Sequence, residues 1–154
     1  MRKLLLTTLL SCVVALPAFA QTQVSDPWVR ATVAQQRATG AFMTLTAPAD
    51  ARLVEASSPV AGIVEIHEML MDKDVMKMRA IDVLPLPAGQ AVELKPGGYH
   101  VMLIELKQQM VEGTEVPLTL VVEHADGARE TLEVSAPVRP LNPAQMQHGH
   151  GHKH

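Results

Sequence analysis

Cysteine is nearly missing from this sequence: Cys12 is the only one in 154 residues. Any product lacking the first twenty residues therefore has no disulfide, no thiolate nucleophile, no zinc–thiolate site and no blue-copper centre with its cysteine ligand. Aromatic residues are almost as scarce, with one Trp, one Tyr and two Phe. The chain has no basic run, and its 16 acidic residues outnumber 13 basic ones, two of which are Arg2 and Lys3. Nucleic-acid binding needs basic patches and stacking platforms, so that class has no support. The longest apolar stretch, "LLLTTLLSCVVAL", falls short of the ~20 residues that span a bilayer as a helix.

That stretch does fit an export signal. "MRK" gives a positive start, the apolar run follows, and "AFA" ahead of Gln21 is a small-x-small cleavage site. A membrane anchor is the competing reading and a lipid-modified Cys12 a second one. The division expected is a signal peptide over 1–20, a β domain over 21–139 and a flexible His-rich tail over 140–154. The mature protein is then periplasmic, with no membrane span.

From about residue 24 to 138 the chain reads as short segments rich in Val, Leu, Ile and Thr, bounded by Pro, Gly, Asp or Asn. "TLEVSAPV" and "AVELK" alternate apolar with polar residues, which marks strands with one buried face. Such spacing, without long helical patterns between, predicts an all-β antiparallel sandwich or barrel. Pro85 and Pro87 in "VLPLPAGQ" mark a loop.

Methionine and histidine stand out against this background. "HEMLMDKDVMKM", residues 67–78, holds four methionines and a histidine. As a hairpin with Asp72 and Lys73 at its tip, it pairs His67 with Met78 and Met69 with Met76. Alternation then sets these four on one face. A helix would bring His67 and Met78 together too, though Gly62 and the Val/Ile run before it favour a strand. In "PGGYHVMLIEL", His100 and Met102 stand at i and i+2 and share a strand face, with Tyr99, Val101 and Leu103 on the other.

Two His and two Met on adjoining segments suit one chemistry. Thioether sulfur is soft and neutral and favours Cu(I) over harder ions. Neutral imidazole adds a stronger donor above its pKa of ~6.5. Against this, methionine on a strand is far more often core filler than ligand. Met43, Met110 and His124, the last beside a turn, are given structural roles; Met69, Met71 and Met76 are left between a soft rim and packing. No Ser/His/Asp set or paired carboxylates point to an enzyme.

These residues resemble the periplasmic copper chaperones of the PCuAC family. His67, ten intervening residues, Met78, twenty-one more and then "HVM" from His100 to Met102 reproduce that family's ligand spacing. "IHEM", "VMKMR", "PGGYHVML", "WVRAT" and "TGAFMTL" are similar to it as well. The resemblance implies a cupredoxin-like Greek-key β-barrel holding one Cu(I) through His67, Met78, His100 and Met102. It also implies delivery to the copper centre of a respiratory cytochrome oxidase, alongside Sco-type proteins. A buffer or resistance protein with the same site and no dedicated acceptor is the alternative. The tail "HGHGHKH" alternates His148, His150, His152 and His154, with Met146 just before it. It resembles the Cu(II)-binding extensions of some family members, and imidazole suits Cu(II).

Overall fold

Alternation of apolar and polar residues dictates the architecture. In the computed structural model, which describes residues 21–140, ten strands follow one another: β1 (Gln23–Arg30), β2 (Ala38–Thr46), β3 (Ala51–Ser57), β4 (Ala61–Asp72), β5 (Val75–Ile81), β6 (Leu84–Leu86), β7 (Ala91–Leu94), β8 (His100–Leu106), β9 (Glu115–His124) and β10 (Arg129–Arg139). No helix occurs among the described residues. The expected leader and the tail histidines, with Met146, lie outside them.

The strands form one mixed sheet in the order β5-β4-β8-β2-β1-β10-β9-β3-β6, with β7 paired to β2. Neighbours are antiparallel except β1 and β10. β3 and β4 stand far apart in that order yet touch, so the sheet curls around a single core. Its fillers are the inward positions of alternating strands. Leu120, Leu118 and Val116 of β9 stand opposite Leu132, Val134 and Ala136 of β10, all six buried. Each fully buried Val or Leu contributes about 1.5–3 kcal/mol, so no covalent staple is needed.

β2 carries the site strands. Its first half pairs with β8 over Ala38–Ala41, and its second half with β7 over Met43–Thr46. Met43 and Met110 are buried at 2% and 1% exposure and pack in the core, as their structural assignment holds. One expectation needs correction. Leu84–Leu86 is a short edge strand against β3, not a loop; Pro85 is exposed between two buried leucines, where the missing N–H costs least. His124 is the last residue of β9, and its Nε2 lies 3.0 Å from Glu130, which also accepts from Thr22.

Candidate metal centre

The β4–β5 hairpin and β8 set the geometry. The hairpin pairs Asp72 with Val75, Met71 with Met76, Met69 with Met78, and His67 with Ala80. The sequence-based pairing of His67 with Met78 is therefore displaced by two residues, and the tip is Lys73–Asp74. Both tip residues have positive φ, 48° and 65°, as a two-residue hairpin turn of the type matching strand twist requires. A displacement of two conserves the faces. His67, Met69, Met71, Met76 and Met78 share one side, and His67 and Met78 are diagonal rather than opposed neighbours.

On the other flank of β4, His67 stands directly opposite His100, and Glu65 opposite Met102. This pairing joins the two sequence segments. The imidazole centroids are 5.5 Å apart with the rings inclined at 61°. Two imidazoles sharing one ion tetrahedrally, at metal–nitrogen distances of ~2.0–2.1 Å, would have centroids about 5 Å apart. The spacing fits.

Each ring is held by one nitrogen and leaves the other available. His100 Nδ1 lies 3.0 Å from the Gly98 carbonyl, so it carries the proton and leaves the Nε2 lone pair free. The turn "KPGGY" sets that carbonyl: Gly98 N donates to Lys95 O, and Gly97 has φ +84°. His67 Nε2 lies 2.7 Å from the Glu65 carboxylate, and its Nδ1 is buried without a partner. An orphaned buried nitrogen is costly unless something binds it. A metal-binding histidine commonly has its other N–H held by a carboxylate or carbonyl, and both arrangements occur here. Burial lowers the His100 pKa, against the raising effect of the Gly98 carbonyl, and the positive charge of protonated His67 and of Arg30 lowers it further. The neutral, ligand-competent ring therefore persists to lower pH than in a free histidine.

Met78, His100 and Met102 line one cleft together with Met69, which sequence reasoning left undecided. Phe42 forms a wall, its ring 6.4 Å from that of His100 and 4.5 Å from Trp28. Gly40 stands opposite Met102, and a Cβ there would fall 2.6 Å from Phe42 Cζ, so only glycine admits the ring in this pose. Arg30 closes another side, its guanidinium carbon 5.4 Å from the Phe42 centroid. No carboxylate lines the cleft. Among the described residues, no three His, Cys, Asp or Glu come together as a metal site. The thioethers of Met69, Met78 and Met102 stand in the same cleft as His100, and such donors suit a soft monovalent ion.

Glu65 was not singled out from sequence, though a carboxylate two residues before His67 shares its strand face and was a legible signal. Replacing Glu65 by alanine is expected to weaken Cu(I) affinity about 10- to 100-fold. Glu65→Gln, which can still accept from Nε2–H, should lie nearer the parent. Competition against a Cu(I) chelator measures both, and equal affinities in all three proteins would refute the role.

A family model, "LpqE-like: Putative lipoprotein LpqE-like", matches residues 22–138. A "Putative lipoprotein" of Leifsonia xyli subsp. xyli is 33% identical over 149 residues, covering 91% of this chain and 87% of that protein. The solution structure of CuI-DR1885 from Deinococcus radiodurans is 32% identical, with a TM-score of 0.58 over 79% of this chain and 83% of that one. The apo PCuAC domain from PmoF1 is similar in fold, with a TM-score of 0.64 at 22% identity, covering 80% of this chain and 97% of that domain. The cupredoxin-like all-β class expected from sequence agrees with these likenesses.

Proposed function

The chain belongs to the LpqE-like family, and from that premise we propose that it is an exported, non-enzymatic copper chaperone. It holds one Cu(I) through His67, Met78, His100 and Met102 and passes it to the copper centre of a respiratory oxidase in the periplasm. The observation that carries this is the His67–His100 pair, each ring anchored by one nitrogen with the other unengaged, beside a cleft lined by Met78 and Met102. Similarity to the Cu(I)-bound DR1885 structure supports the metal. The family's description as lipoprotein-like supports export.

Half-open thioethers support transfer by ligand exchange. Met78 is 50% exposed while the two histidines are 9% and 6% exposed, so an incoming ligand can displace the methionine first. Copper stays monovalent, and neutral thioethers leave without a proton. The tail extends this reading. His148, His150, His152 and His154, with Met146, take Cu(II), and an external one-electron reductant, such as a thiol, converts it to Cu(I) before it enters the core site. The tail follows Arg139, which is paired with Arg30, a residue lining the cleft. A chain extends up to ~3.3–3.6 Å per residue, so the nine residues from Arg139 to His148 reach about 30 Å at most.

Mixing Cu(I)-loaded protein with the apo copper domain of an oxidase subunit tests the function. Stoichiometric transfer is expected, and copper retained by the donor at equilibrium would favour a buffer instead. A parallel arm ending at residue 143 should bind less Cu(II) yet still transfer Cu(I). Unchanged Cu(II) stoichiometry would remove the tail from the proposal.

A further inference from the structure

The methionines left between rim and packing form an ordered series. Met69 faces Met78 and Met71 faces Met76, as directly opposed pairs on the side of the hairpin that carries His67. From the His67–His100 pair outward, that face presents one thioether pair and then another, each step two residues or ~6.6–6.8 Å along the strand. Packing does not explain the outer pair. Met71 is 66% and Met76 46% exposed, whereas the core methionines are almost fully covered. The opposite hairpin face is built differently, with ion pairs Glu68–Arg79 and Lys77–Asp72. Between Glu68 and Arg79, the ion pairs thus lie on one side and the thioethers on the other.

We propose that Met71 and Met76 form a second, weaker site for a soft monovalent ion near the hairpin tip. Cu(I) moves between this site and the His67–His100 centre by way of Met69 and Met78. Opposed Cβ atoms are ~4.5–5.5 Å apart, and two metal–sulfur bonds of ~2.3 Å span about the same distance. The three side-chain torsions of methionine let both sulfurs meet one ion. Each step along the methionines makes one copper–sulfur bond as another breaks, and the last exchanges copper–sulfur for copper–nitrogen bonds at His67 and His100, with copper remaining monovalent and no proton or electron transferred. The relay rests on the function proposed above and supplies what the recessed imidazoles lack, a path on which a partner's ligand meets the metal at an exposed position.

The test uses full-length protein labelled with carbon-13 at the methionine methyls and nitrogen-15 in the histidine rings, titrated with Ag(I), a redox-inert soft ion, and anaerobically with Cu(I). The first equivalent should move the Met78 and Met102 methyls and both imidazoles, and the second the Met71 and Met76 methyls. In a Met71→Leu/Met76→Leu variant, which keeps bulk and hydrophobicity, second-step thioether binding should weaken at least tenfold. Release of Cu(I) to a chelator should slow several-fold, with first-site affinity unchanged. Met71 and Met76 methyls that stay fixed while the core signals move would overturn the relay alone. So would a double variant with unaltered second step and release. If Met71 and Met76 shift only on adding a protein partner, the strip is a docking surface and the relay is wrong. Fixed signals at Met78, Met102 and both imidazoles would overturn the four-residue centre, and the relay with it.

Discussion

Replacing His100 and Met102 together by alanine is expected to abolish tight Cu(I) binding while the β fold persists. The two residues share one face of β8 and supply half of the proposed ligands, one from each donor class. Loss of a single outer partner of a metal ligand costs ~10–100-fold in affinity, and removing two ligands should exceed the upper figure. Neither side chain belongs to the main core, which lies on the Val101 and Leu103 side of the strand. A Cu(I) chelator competition reads the affinity, and far-ultraviolet circular dichroism reads the fold. Retained affinity with an intact fold would place the metal elsewhere. X-ray absorption of the parent should count two sulfur and two nitrogen neighbours, and a nitrogen-only shell would exclude the thioethers.

Leu103→Ala should do the reverse. Leu103 is fully buried on the opposite face of the same strand, paired across to Val64 and Thr39. Truncation there removes packing and leaves a cavity, and comparable leucine deletions cost about 2–5 kcal/mol. The urea midpoint should fall accordingly, while the folded variant binds one Cu(I) at the core site as before. Excess Cu(I) should recover part of the lost stability, because a ligand that binds only the native state shifts the unfolding equilibrium. Lost core binding in protein that is still folded would mean that the two faces of β8 are not independent.

Much of this was legible locally. A side-chain period of two assigns faces from sequence alone, so Val101 and Leu103 were separable from His100 and Met102 before any pairing was known. The scarcity of cysteine excluded thiolate chemistry in the same way. Glu65 was legible by the same period, whereas Gly98 was less visible, since a carbonyl matters only once a ring nitrogen is known to point at it. Gly40 and Phe42 could not be identified from sequence, because their closeness to the site depends on β2 lying beside β8.

By itself, then, the sequence determined the strand faces that carry the histidines and methionines proposed as donors. It could not determine opposition. Tertiary structure moved the hairpin register by two, with Lys73 and Asp74 taking positive φ at a tip that lacks the usual Asn-Gly signal. It also set His67 against His100 across strands that have β5, β6 and β7 between them in the chain. The faces survived the register change because two is the period of a strand. The pairing was unreadable because it depends on turn geometry and non-local contacts that no short segment contains.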